Sequence, residues 1–293
     1  MASVLAVIGG SGVYSLPGLT DIESLTVETP FGAPSSSITR GRLGATSLLF
    51  LARHGTRHEI APHQINFRAN ICALKMAGAT HLVSLSAVGS MRESIHPGDV
   101  VIVKDFIDFT RRRISTFFDE DVVAHVAMAP AVCPELATAA TEAVRFAGGR
   151  VHDSATYICI EGPQFSTRAE SLLYRSWGVD VIGMTGMPEA KLAREAELPY
   201  SMIAFATDYD CWHESEEAVS VDVVLSTLKK NSELAPKIIR ALANLLPKPE
   251  TSPAFGALKN AILTSTGGSD APGWGKLNWL IDAKSIASEG KEP

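Results

Sequence analysis

Short apolar runs, each closing on a glycine or a small polar residue, punctuate the first 245 positions of the chain. VLAVIGG at 4–10 reads as a buried strand ending in a glycine-rich turn, and SLLFLARHG at 47–55 as a second one running into a loop. THLVSLSAVGS at 80–90, ATYICIEGPQ at 155–164, VDVIGMTGMPE at 179–189 and YSMIAFATDYD at 200–210 repeat the pattern. PGDVVIVKDFIDF at 97–109 opens on a Pro-Gly-Asp turn before its strand. Between these runs the period changes. HQINFRANICALKMAGA at 63–79 places Ile65, Ala69, Ala73, Leu74 and Ala77 at helical spacing and stops at Gly78. ELATAATEAVRFAGG at 135–149 does the same with a Gly-Gly stop, and further helices are expected at 188–196 and 221–245.

The strands are apolar throughout rather than at every second residue, as in strands covered on both faces. Their alternation with helices predicts an α/β fold of three layers, a mixed, largely parallel twisted sheet flanked by helices. Ligands of such sheets sit beyond the strand ends, in the loops that follow. After KPETSP at 248–253 the texture changes. AFGALKNAILT at 254–264 is expected to be a helix, followed by a Gly/Pro loop, the apolar piece KLNWLIDAKSI and a charged tail. The chain therefore divides into a main domain, 1–249, and an appendage, 250–293, packed on that domain or on a neighbouring subunit.

Composition narrows the function. Apolar residues make up 46% and charged residues 20% of 293 positions, which suits a folded globular chain. A formal charge of −6 argues against a nucleic-acid partner but leaves room for a local phosphate pocket. No run of about 18 apolar residues would cross a membrane. The start MASVLAVIGGSG lacks the basic and long apolar regions of a signal peptide. Cys72, Cys133, Cys159 and Cys211 lie at least 26 residues apart with no CxxC pair, so a reduced, cytoplasmic chain without a metal site is expected.

Six strand-end segments carry candidate chemistry. GGSG at 9–12 offers exposed amides and the Ser11 hydroxyl to an anion, or is simply a tight turn; no Gly-Lys-Ser/Thr and no GxGxxG accompanies it. Arg53 and His54 are a phosphate-binding pair or loop surface charge. RHGTR at 53–57 also resembles the opening motif of histidine phosphatases, although here a whole strand and a long polar segment precede it. SAVG at 86–89 adds the Ser86 hydroxyl and further amides, so three segments could converge on one anion. In EGPQFSTRAE at 161–170, Phe165 would stack on a planar base or fill core. In MTGMPE at 184–189, Thr185 is a phosphate donor, while Pro188 and Glu189 suit the first turn of a helix structurally. TDYDCW at 207–212 sets two carboxylates directly behind a buried strand. A metal would need further ligands that the neighbourhood lacks; the other reading is recognition of a heterocycle by its N–H groups, with one Asp as general acid.

Taken together, GGSG, LARHG, HQINFRAN, AVGS, PGDVVI, EGPQFSTRAES, GMTGMPEA and ATDYDCW followed by EEAVSVDVVL resemble the 5′-methylthioadenosine phosphorylase branch of the purine nucleoside phosphorylase family over roughly residues 4–245. The resemblance implies a nucleoside phosphorylase-like fold and reversible phosphorolysis, in which phosphate attacks the anomeric carbon and base and sugar 1-phosphate are released. Phosphate is then a co-substrate, and no metal or organic cofactor is implied. Carried over residue by residue, Ser11, Arg53, His54, Ser86, Ala87 and Thr185 would hold phosphate. Met184 would meet the ribose and Phe165 the base, with Asp208 and Asp210 recognising the purine. Asp208, its pKa raised by burial, would protonate N7 of the leaving purine.

The 6-oxopurine relatives hold Glu and Asn where this chain has Ser166 and Asp208, which suits adenine. Val221, Val224 and Leu225 match an alkylthio pocket that is otherwise ordinary helix core. His125 matches a histidine lent by the neighbouring subunit, which implies a homotrimer or a hexamer of shared sites. Ser11 and Ser86 stand where threonine is common, and Val88 replaces a frequent cysteine. GMTGMPE also resembles methylthioinosine-cleaving relatives, but those lack the Asp-Tyr-Asp element.

Overall fold

The computed structural model describes residues 3–9, 16–213, 233–264 and 272–281. Nine strands form one sheet: β1 (Val4–Gly9), β2 (Thr20–Leu25), β3 (Ile38–Leu43), β4 (Thr46–Ala52), β5 (His81–Ser90), β6 (Val100–Phe109), β7 (Val151–Ile160), β8 (Val181–Gly183) and β9 (Tyr200–Asp208). Their order is β2-β3-β4-β1-β5-β8-β7-β6-β9, with β5 also paired to β9. That extra pairing closes β5, β8, β7, β6 and β9 on themselves, so half of the expected sheet is a small barrel, from which β1, β4, β3 and β2 extend as a wing. The pairing is mixed, as expected: β1–β4, β1–β5, β5–β9, β6–β7 and β7–β8 are parallel, and the others antiparallel.

Burial follows the apolar pattern. Strand β9 is buried at every residue and β1 at all but its first. Helix α1 (Phe67–Met76) is capped by Asn66, whose side chain accepts a hydrogen bond from the Ala69 N–H, and it buries Phe67, Ile71 and Leu74. Each such side chain contributes roughly 1.5–3 kcal/mol on leaving water. The expected single helix at 63–79 is thus a short 3₁₀ turn, Pro62–Gln64, followed by α1. Helix α2 (Pro134–Phe146) packs against β6, β7 and β9. Helices α3 (Arg168–Ser176) and α4 (Gly186–Glu195) follow β7 and β8, and residues 233–242 are helical within the stretch read as 221–245.

The helix expected at 254–264 does not form. Gly256 sits at φ +70, and the backbone runs as successive turns whose N–H groups reach back three residues, Ala257 to Ala254 and Lys259 to Gly256. It then pairs with the segment before α2, His125 N–H to Ala261 O and Leu263 N–H to Val123 O. Leu258, Ala261, Trp274 and Leu277 lie in the same core cluster as the barrel, with a short helix at Pro272–Leu277. Strands β2 and β3 were absent from the sequence reading. β2 is a polar edge strand exposed over nearly its whole length, so no apolar run marks it.

Candidate active site

Strand register decides which loops meet. β1 and β4 run parallel with Gly9 opposite Ala52, so Arg53 emerges beside Gly9; its N–H donates to the Gly9 carbonyl at 3.0 Å. β8 runs antiparallel to β5 with Ile182 opposite Gly89, so the chain after β8 turns back alongside Ala87 and Ser86. That explains why the Thr185 and Ser86 hydroxyl oxygens, 99 residues apart, lie 3.3 Å from each other.

The Arg53 guanidinium is 2% exposed and makes a two-pronged ion pair with Glu189, Nε to Oε2 at 2.9 Å and Nη2 to Oε1 at 3.2 Å. It also donates to Ser84 Oγ at 2.6 Å and to the Leu85 carbonyl at 3.2 Å, one residue before Ser86. The Tyr200 hydroxyl donates to Glu189 at 3.0 Å. Burial works against the charge of Arg53, but the Glu189 carboxylate more than restores it, and the pKa stands above its ordinary value. The expected structural role of Glu189 in a helix first turn holds, and its carboxylate has a second one. The residue lies in the first turn of α4, and its oxygens are the counterion of Arg53.

His54 is buried, and burial together with the neighbouring Arg53 charge lowers its pKa from 6.5 to about 4. It is therefore neutral near pH 7. Its Nδ1 lies 2.9 Å from the Ile60 carbonyl, which can only accept, so Nδ1 carries the proton and Nε2 a lone pair. The side chain of Arg57, which a phosphatase reading would bring to the same anion, is exposed, and its backbone N–H donates to Glu59. The Ser86 hydroxyl donates to the Ala87 carbonyl at 3.2 Å, and the Thr185 N–H donates to Tyr157 Oη at 3.2 Å. Arg53, Ser86, Ala87 and Thr185 therefore gather beside the middle of β5, with His54 following Arg53. Ser11 lies outside the described residues.

The other end of the site is built where β9 leaves the barrel. Asp208 accepts from the Thr207 hydroxyl at 2.6 Å and, through Oδ1, from the Asp210 N–H at 2.8 Å. Asp210 has φ +52 and accepts from the Ser171 hydroxyl of α3 at 2.6 Å. Burial raises the Asp210 pKa, and the charge of Asp208 adds to it. Both aspartates pack close to β5 at Gly89, where a Cβ would stand 3.0 Å from Ile182 Cγ2, 3.1 Å from Asp208 Oδ1 and 3.3 Å from Asp210 Cβ, so any side chain there would have to displace them.

α3 opens with a capping box between Thr167 and Glu170, which fixes Phe165 and Ser166 just ahead of it. The Cys211 thiol donates to the Ser166 carbonyl at 3.3 Å and ties that loop to the acid pair. Ser166 Oγ is buried and has no hydrogen-bond partner. Phe165 is 48% exposed and, with Ser166, Glu170, Tyr174 and His63, lines an open cleft of about 590 Å³. Met184 lies between the two ends, its Sδ against Gly162, where a Cβ would come within 2.5 Å of it.

His125 stands apart from these clusters on an exposed segment paired with Ala261. Val221, Val224 and Leu225 lie outside the described residues. Among the described residues no group of three or more His, Cys, Asp or Glu side chains is arranged to hold a metal. Sequence reasoning missed Ser84, Ser171 and Tyr157 as partners, since a serine on a strand or helix and a tyrosine in a strand carry no local signal.

Comparison with known proteins bears on the sequence and the fold. A family model, the phosphorylase superfamily, matches residues 4–244. An S-methyl-5′-thioadenosine phosphorylase of Geobacter sulfurreducens is 50% identical over 282 residues, 96% of this chain and 99% of its own. The crystal structure of a methylthioadenosine phosphorylase from an antarctic soil metagenomic library superposes with a TM-score of 0.91 at 46% identity, covering 96% of this chain and 99% of that one. A variant of an adenosine/methylthioadenosine phosphorylase from Schistosoma mansoni, in complex with methylthioadenosine, superposes with a TM-score of 0.80 at 33% identity, over 85% of this chain and 94% of that one. By sequence, by fold and by the way its strand ends converge, this chain belongs to the phosphorylase superfamily.

Proposed function

We propose that the chain catalyses reversible phosphorolysis of 5′-methylthioadenosine to adenine and 5-methylthioribose 1-phosphate. The observation that carries this reading is the single strand β5. At Ser84–Ala87 it is met by a charged, buried arginine and two hydroxyls, and at Gly89 by a buried carboxylate pair. An anion and a purine would thus be held at opposite ends of a short path, with Met184 between them.

Arg53, Ser86, Ala87 and Thr185 are the phosphate ligands, together with Ser11, which the sequence resemblance assigns to the same anion. A neutral His54 offers Nε2 as an acceptor, which fits the one remaining O–H of a hydrogen-phosphate dianion. A phosphate oxygen attacks C1′ as the C1′–N9 bond breaks, and the anion beneath the sugar stabilises the oxocarbenium-like transition state. The bonding pair leaves on the purine, and the proton that neutralises it arrives at N7 from Asp208. Phe165 stacks on the base. Ser166 and Asp208 supply the polar contacts at its edge: the protonated Asp208 carboxyl donates its O–H to N7 while its other oxygen accepts from the amino group of adenine. Asp210, held by Ser171, supports Asp208. Val221, Val224 and Leu225 form the pocket for the methylthio group.

His125 would reach the site of a neighbouring subunit in a homotrimer, a reading supported by its exposure on a segment paired with 261–263. Four cysteines without a disulfide suit a cytoplasmic protein. A substrate panel at saturating phosphate tests the base reading. Methylthioadenosine should be cleaved at least 100-fold more efficiently than methylthioinosine, and equal kcat/KM values would remove the Ser166–Asp208 argument.

A further inference from the structure

Arg113 lies outside every motif singled out in the sequence, yet its side chain is 2% exposed and fully engaged. Nη1 donates to the Met184 carbonyl at 2.6 Å and to the Met187 carbonyl at 2.7 Å. Nη2 donates to the carbonyls of Glu161 at 2.6 Å and Ile160 at 3.2 Å, and Nε to the Glu161 carboxylate at 3.2 Å. A guanidinium has five N–H groups in a fixed plane, and here each meets an oxygen. Four of those oxygens are backbone carbonyls from two segments: Ile160, the last residue of β7, with Glu161 after it, and Met184 with Met187 where the chain enters α4. One loop leaves β7 and carries Phe165 and Ser166; the other leaves β8 and carries Met184 and Thr185.

The remaining contacts make this a brace rather than an anion site. The Glu161 carboxylate neutralises Arg113 and also accepts the Arg111 N–H at 2.5 Å, so the arginine's own backbone is tied to the loop it holds. These donors keep the Glu161 pKa below its ordinary value against the effect of burial. The carbonyls of Met184 and Met187 flank Thr185 and Gly186, whose N–H groups donate to Tyr157 Oη at 3.2 and 3.4 Å. Residues 184–187 are therefore held through their carbonyls by Arg113 and through their amides by Tyr157. On the side-chain face, Met184 rests on bare Gly162.

We infer that Arg113 is a positioning residue, setting the distance between the loop assigned to the base and the loop assigned to sugar and phosphate. The inference rests on the functional reading above for what the loops bind. A displacement of one loop by about 1 Å is enough to cost on the order of 100-fold in rate, because it separates the nucleophile from the leaving group. A lysine cannot replace the fork: its ammonium is a single point, and the four carbonyls come from two directions.

The test is Arg113→Ala and Arg113→Lys in the full chain, assayed on methylthioadenosine and phosphate with and without guanidinium at tens of millimolar. Arg113→Ala should lose about 100-fold in kcat, and guanidinium should return at least tenfold of that while leaving the wild type unchanged; Arg113→Lys should stay impaired. A folded Arg113→Ala within twofold of wild type, or an equal loss that guanidinium does not touch, overturns the inference. Hydrogen exchange at the Thr185 and Gly186 amides is read in the same samples. It should accelerate in Arg113→Ala and slow again with guanidinium, and unchanged exchange also overturns the inference. Because exchange does not depend on turnover, a wild type inactive on methylthioadenosine would sink the functional reading while this readout still judges Arg113. If Arg113→Ala does not fold, Gly162→Ala displaces Met184 from the opposite side. It should raise the nucleoside KM at least tenfold with the phosphate KM within twofold, and unchanged nucleoside kinetics count against the brace.

Discussion

Replacing Glu189 with glutamine keeps the volume of the side chain but removes the charge that Arg53 faces across 2.9 Å in a site where both are almost wholly buried. The carboxylate receives three hydrogen bonds, two from Arg53 and one from the Tyr200 hydroxyl. Glutamine has one oxygen to offer, and its NH2 would point at a guanidinium N–H or a tyrosine O–H. Breaking a buried pair from one side typically costs about 3–5 kcal/mol, because the surviving charge is left without a partner. The retained amide oxygen places this variant near the lower figure. For a chain of this size each kcal/mol lowers Tm by roughly 2–4 °C, so Glu189→Gln should melt roughly 6–12 °C early. The same change releases the guanidinium assigned above to phosphate, so kcat/KM for phosphate should fall by about tenfold or more at saturating nucleoside. A double-mutant cycle with Arg53→Gln isolates the pair: the double variant should cost well below the sum of the singles, by about 2–3 kcal/mol. Additive losses, or a Glu189→Gln variant within 2 °C and twofold of wild type, would refute the assignment of Glu189 as the counterion.

Asp208→Asn should fold normally and lose on the order of 100- to 10,000-fold in kcat, the usual range for a general acid; a kcat near that of wild type sinks that role. Gly89→Ala should lower kcat/KM for the nucleoside by about tenfold, since its methyl would press on Asp208 Oδ1 as well as on Ile182, and unaltered kinetics would show that the acid pair has slack. Glu195 accepts from the Thr116 hydroxyl and the Phe117 N–H, each at 2.7 Å, and burial raises its pKa from 4.5 to about 7. Between those two values the unfolded chain has lost a proton that the folded chain keeps, so the group's contribution to stability is whole below about pH 4.5 and shrinks by about 3 kcal/mol as pH rises to 7. Glu195→Gln cannot ionise, so its Tm relative to wild type should climb between pH 4.5 and 7; a flat difference across that range would contradict the shifted carboxyl.

The parts of the fold that could be read in the sequence are those whose causes are local. Strands β1, β4, β5 and β9 announce themselves because burial on both faces makes them apolar, and they carry the site directly: Arg53 just after β4, Ser86 within β5 and Asp208 as the last residue of β9. Barrel closure through β5–β9 and β6–β9 depends on backbone pairing between distant segments, which leaves no trace in either strand's own pattern. The 254–264 segment shows the opposite failure. Its apolar spacing suits a helix, yet Gly256 takes a left-handed turn and residues 261–263 find their partners in 123–125. The same division holds in the site. Thr185 is visible as a hydroxyl at a strand end, but Glu189 shows only as a first-turn carboxylate, because the arginine that explains it is 136 residues away. Arg113 gives no signal at all: its partners are carbonyls, which every residue has.

The central claim is that phosphate, not water, breaks the glycosidic bond. The most direct measurement incubates the pure protein with methylthioadenosine, with and without phosphate, and separates the products by chromatography with phosphorus NMR on the sugar. Adenine together with methylthioribose 1-phosphate, formed only when phosphate is present, is the predicted result. Adenine released at the same rate without phosphate, with free methylthioribose as the co-product, would make the chain a hydrolase and contradict the assignment of Arg53, Ser86 and Thr185.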